Sequence, residues 1–216
     1  MNLDEFWVWI DQTHAATGTD GKAQVELLTH RLSQTSVEQI HDFYRHWLRL
    51  MEQAYTWDLW GAAYIIKGFC SDDGFEYFRS WLILQGRTEF ERAIENADSL
   101  AKLPGPPDDS SSTGEDALYI AHDACDRISG REDSFDDRIQ LAAEVERSRH
   151  PHGALWPRDL ARFAGRWPQL WTRFGGRYGN WTAPPQASNQ GHGRLANLVV
   201  PSPNDEKQDP EHVRND

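Results

Sequence analysis

The chain has 216 residues, of which 22 are Lys or Arg and 34 Asp or Glu, for a formal net charge of −12; hydrophobic residues make up 38% and there are 10 Trp. That length supports one domain with a sizeable core, the aromatic content excludes disorder over most of the chain, and no apolar run approaches the roughly 20 residues of a membrane span. Cys70 and Cys125 are too few for a disulfide framework or a four-cysteine zinc site, and the opening MNLDEFWVWIDQTH has no basic start, long apolar stretch or small-residue cleavage site, so a cytosolic protein is expected.

In chain order, residues 4–16 form a helix with Phe6, Ile10 and Thr13 on one face, ended by the TGTDG stretch at 17–21. A second helix runs over 22–33 with Val25, Leu28 and Leu32 at helical spacing. The third opens on a capping box, Thr35 with Glu38, and carries the stripe Ile40, Phe43, Trp47 and Ala54. Tyr55–Ile66 is apolar all round, which implies a buried helix, and Gly61, Ala62 and Ala63 leave room for a close neighbour. After Gly68 a helix over 74–85 is predicted, with Asp73 as cap, Glu76 as its capping-box partner and Gly86 as stop. A helix over 88–96 and a turn at Ala97-Asp98-Ser99 follow.

Residues 104–114, rich in Pro, Ser, Asp and Gly, read as an exposed loop. One helix is predicted over 115–129, ended by Gly130, and a charged one over 136–148. Trp156-Pro157 opens a short helix with Leu160 and Phe163, and Trp167-Pro168 begins another turn through Leu170, Trp171 and Phe174. Residues 181–216 read as a disordered tail. The predicted class is all-α: a single compact multi-helix domain over 1–180 plus that tail.

Charge is unevenly spread. Residues 1–146 hold 12 basic and 28 acidic residues, a net of −16, whereas residues 147–180 hold seven Arg and one acid, Asp159, a net of +6. The acidic part repels phosphates, which argues against nucleic acid and anionic membranes as partners. The basic stretch either folds back on the acidic part or binds an anion, with Arg162, Arg166 and Arg173 as the candidates. Its alternation of Arg and aromatic residues over 166–174 also suits stacking on single-stranded nucleic acid, a weaker reading beside so acidic a remainder.

The sharpest polar constellation is Asp58, Asp72, Asp73 and Arg79 among Trp57, Trp60, Tyr77 and Trp81. It reads either as a pocket with carboxylates at its rim or as a structural network. An unpaired buried charge is costly, so Arg79 is expected to be largely buried and paired with Asp72 or Asp58, with Asp73 capping the helix. His41 and His46 are five apart and do not share a helix face; His150 and His152 sit in a loop; His122 sits on a solvated face. Of the pairs Asp72-Asp73, Asp108-Asp109 and Asp136-Asp137, only the first has an aromatic surround. Cys70 is either a helix-start thiol of lowered pKa or a small buried hydrophobe. With no Walker loop, dinucleotide-binding glycines, nucleophile elbow or zinc spacing, no cofactor and no metal are expected.

The runs WDLWGAAYII (57–66), CSDDGFEYFRSWLI (70–83) and QGR (85–87), with FWVWI (6–10) and DSLA (98–101), resemble the bacterial domain-of-unknown-function family numbered four-two-four-zero. The resemblance covers about residues 1–130, and WPQLW (167–171) is similar to that family's closing segment. It implies a small helical bacterial domain and brings no reaction, ligand or catalytic residue. Phe69 stands where the family pattern has a second Gly, and the segment after Asn180 is an extension beyond it.

These observations lead to a cytosolic interaction or regulatory module whose acidic surface favours a basic protein partner. The alternative is an enzyme or small-ligand binder acting at the Asp58–Asp72–Asp73–Arg79 constellation, with acid–base work by a carboxylate near Arg79.

Overall fold

The structure, a computed structural model, describes residues 1–104, 110–130, 145 and 148–178. Among these residues it is all-α, with one isolated backbone bridge between Thr56 and His152 and no strand. The helices are α1 (Leu3–Thr17), α2 (Gly21–Leu32), α3 (Val37–Gln53), α4 (Trp57–Lys67), α5 (Asp72–Leu84) and α6 (Arg87–Glu95). A 3-10 turn (Ala97–Lys102) follows, then α7 (Ser110–Leu118), α8 (Ile120–Ser129), α9 (Leu160–Arg166), α10 (Pro168–Phe174) and a second 3-10 turn (Gly175–Tyr178). No helix among the described residues is long and apolar enough to cross a membrane. The tail at 181–216 and the helix expected over 136–148, save Val145 and Ser148, lie outside the described residues.

Polar caps set where the helices begin. Asn2 and Glu5 form a reciprocal capping box at α1, and the side chains of Asp20, Ser36, Thr56 and Ser71 accept the third backbone N–H of α2, α3, α4 and α5. Two caps differ from expectation. Ser36, not Thr35, caps α3, because the Thr35 hydroxyl donates to the Leu32 carbonyl at 2.7 Å and so closes the preceding helix. Ser71, not Asp73, caps α5, its hydroxyl accepting from Gly74 N at 3.1 Å. Asp72 and Asp73 fall inside the first turn, where their charge still favours the helix N-terminus.

The apolar faces bury against one another as the periodicity requires. Phe6 and Ile10 of α1, Ile40, Phe43 and Trp47 of α3, Leu59 and Ile65 of α4, and Phe75 and Leu82 of α5 are all core residues. At about 1.5–3 kcal/mol for each large side chain removed from water, such contacts dominate the stability. Every residue of α4 from Leu59 to Ile66 is buried, as its all-round apolar sequence demands.

Three departures from expectation follow, the first with a packing cause. The stretch expected as an exposed loop up to residue 114 is helical from Ser110, and α7 lies along α5. Its small residues are what permit the approach: a Cβ on Gly114 would stand 2.2 Å from the Tyr77 carbonyl oxygen. The helix expected over 115–129 is broken at Tyr119 into α7 and α8. Likewise Trp156-Pro157 does not open a helix; Asp159 caps α9, accepting from Arg162 N at 3.0 Å. Pro168 does open α10, where its missing N–H costs nothing.

Candidate functional site

Arg79 sits where α5 crosses the end of α3 and is 9% exposed. Its Nη1 donates to the Met51 carbonyl at 2.7 Å, an oxygen in the last turn of α3. Arg79 therefore serves as a C-terminal cap for α3 supplied by another helix. Its guanidinium carbon lies 4.7 Å from the Tyr55 ring centre and 5.1 Å from that of Phe75, within cation–π range. The expected partners, Asp72 and Asp58, are not used. Asp58 accepts from Arg166 Nε at 2.7 Å instead, and Asp72 is exposed on the first turn of α5. Burial pulls the Arg79 guanidinium below its ordinary pKa, while the charges of Glu76, Tyr55 and Glu52 oppose that shift. Glu76, expected as the capping-box partner of Asp73, is instead buried one turn before Arg79 and acts on its charge, a three-residue helical spacing. Among the described residues Nε of Arg79 has no hydrogen-bond partner.

Several of the aromatic residues around this constellation pack on one another. Trp57 and Trp60 stack with centres 5.6 Å apart, Trp60 stacks on Phe75 at 5.0 Å, and Trp156 stands edge-on to Trp57 and Trp60 at 5.0 and 5.7 Å. At these distances the rings touch and leave no gap for a ligand between them. Trp60 Nε1 donates to the Cys70 carbonyl at 3.0 Å. Trp81 packs on Phe78 further along α5, and Tyr77, half-buried, presents its backbone to Gly114 of α7. Asp73 is half-buried on the first turn of α5.

The closing segment is fastened by a residue that sequence reasoning took for part of a turn. Asp98 is a buried carboxylate whose Oδ2 accepts from Gln169 N and Nε2, both at 3.1 Å, and whose Oδ1 accepts from Leu170 N at 2.9 Å. It caps α10 from 71 residues away, a pairing no local pattern reveals. In return Arg173 donates to the carbonyls of Ala101 and Leu103 at the end of the 3-10 turn. Trp167 fills the space left by Gly61, where a Cβ would stand 2.3 Å from the indole. Arg166 bonds Asp58 and the Ala154 and Leu155 carbonyls and lies over the Trp167 ring. Thus Arg166 and Arg173, expected as anion ligands, are engaged within the chain, and Arg162 is exposed on α9.

A Ser, a His and a Glu also meet. His152 Nε2 lies 2.8 Å from Ser148 Oγ and 3.1 Å from Glu52 Oε1, and Ser148 N donates to the same Oε1 at 3.0 Å. Both side chains address one ring nitrogen, whereas a serine relay needs the acid on the other nitrogen. The cluster is a clasp: His152 N donates to the Tyr55 carbonyl at 2.8 Å and Trp57 N to the His152 carbonyl at 3.0 Å. No group of three His, Cys, Asp or Glu residues able to hold a metal occurs among the described residues. The Asp108-Asp109 and Asp136-Asp137 pairs lie outside them. Cys70 is buried, and that burial pushes its thiol up to about 12, so it is a small hydrophobe and not a nucleophile.

Glu26 of α2, Asp116 of α7 and Asp123 and Asp126 of α8 lie near one another, although α2 also carries Lys22 and Arg31. Glu26 of α2 accepts two bonds from Arg127 of α8, at 3.0 and 2.9 Å. Desolvation raises the pKa of Asp123, which Arg127 opposes and Asp126, Asp116 and Glu26 reinforce.

The model of a family described as "Protein of unknown function (DUF4240)" matches residues 1–127. No curated protein and no solved structure matches the chain.

Proposed function

The chain belongs to the DUF4240 family of proteins of unknown function, and we propose that it is an interaction module whose acidic face on α2, α7 and α8 takes a basic protein partner in the cytosol. The observation that carries this reading is the meeting of Glu26 of α2, Asp116 of α7 and Asp123 and Asp126 of α8 around one cation, Arg127; burial first, and the three neighbouring acids after it, raise the Asp123 carboxyl, while Arg127 opposes them. Crowded like charge destabilises the folded chain, and a basic partner relieves that cost while gaining a faster encounter. The reading also draws on the state of the other polar groups, since Asp58, Asp98, Arg166 and Arg173 are all engaged within the chain. A second reading, a small-ligand or enzyme site over residues 57–81, draws on the unpartnered Nε of Arg79 and the nearby exposed Asp72.

The test is a titration of the labelled protein with a Lys- and Arg-rich helical peptide, followed by amide chemical shifts. Changes confined to α2, α7 and α8 that disappear in Asp116→Asn/Asp123→Asn/Asp126→Asn support the reading. A control variant, Glu38→Gln/Glu91→Gln/Glu95→Gln, removes the same charge elsewhere and leaves them intact. Equal loss in both variants would mean that only net charge matters and would overturn the proposed face.

A further inference from the structure

We draw no further inference here: the strongest candidate, the exposed apolar side chains of Phe69 and Leu155 on either side of the Tyr64–Trp156 contact, carries nothing because nothing in the structure shows what covers them.

Discussion

Replacing Arg79 by alanine separates a structural network from a ligand site. The substitution removes a charge-assisted hydrogen bond to the Met51 carbonyl at 2.7 Å, worth about 1.5–3 kcal/mol. It also removes cation–π contacts with Tyr55 and Phe75, worth about 0.5–2 kcal/mol, and leaves the buried Glu76 carboxylate without its neighbouring cation. The combined loss is about 3–5 kcal/mol, in line with breaking a buried charge pair. Against a total stability of about 5–15 kcal/mol that is a large fraction. At about 2–4 °C per kcal/mol for a chain of this size, the melting temperature should fall by about 6–20 °C. Arg79→Lys should fall by less, since an ammonium keeps the charge and a donor but not the planar guanidinium beside the Tyr55 and Phe75 rings. Circular dichroism melts of the three proteins at neutral pH measure this. An Arg79→Ala protein that melts with the parent would refute the structural assignment and move the ligand-site reading to first place.

Five further outcomes follow from the same geometry. Asp98→Ala removes the acceptor of three N–H groups at α10; it should cost about 1–3 kcal/mol and speed proteolysis within 148–178, and unchanged digestion there would contradict the fastening of α10 by Asp98. Gly61→Ala places a methyl 2.3 Å from the Trp167 indole, so denaturant unfolding should show a loss of about 1–3 kcal/mol from overpacking. The Asp123 carboxyl is raised in the folded state, so its folded form binds protons more readily than the unfolded one and stability rises as pH falls through its folded pKa; Asp123→Asn should melt at or above the parent at pH 7 and match it below the unfolded carboxylate range. Glu26 has the opposite sign, lowered first by its hydrogen bond from Arg127, so the stability it adds is present above the unfolded pKa and lost as pH falls through the folded one; Glu26→Gln should melt slightly lower at pH 7 and not at low pH. Finally, Cys70 should resist alkylation at pH 8 until denaturant is added, because its thiol is buried and un-ionised.

The helical class and the buried α4 were legible because periodicity and all-round apolarity are local properties of the chain. Cap residues were legible to within one or two positions: Thr35 and Ser36 both carry hydroxyls, and only the backbone of Ser36, extended at ψ 154, decides which is the cap. The helical character of Ser110–Gly114 was hidden, since small polar residues and Gly read as loop locally, and the close approach that needs Gly114 shows only once α5 is beside it. Arg79 was read as buried and interior, which it is. Its partner was missed because pattern reading pairs charges with charges, and the acceptor is a backbone carbonyl 28 residues earlier. Asp98 was missed for the same reason in reverse: its donors are the backbone N–H groups of a helix that begins 70 residues later.

The proposed role rests on a local acidic face rather than on net charge alone. Its most direct test is the association rate of the Lys- and Arg-rich peptide, measured by stopped flow between 0.1 and 1 M salt, where the Debye length shrinks from about 10 Å to about 3 Å. The rate should fall at least about tenfold over that range, with most of the dependence removed by Asp116→Asn/Asp123→Asn/Asp126→Asn and little of it by Glu38→Gln/Glu91→Gln/Glu95→Gln. A rate that ignores salt, or that responds alike in both variants, would contradict it.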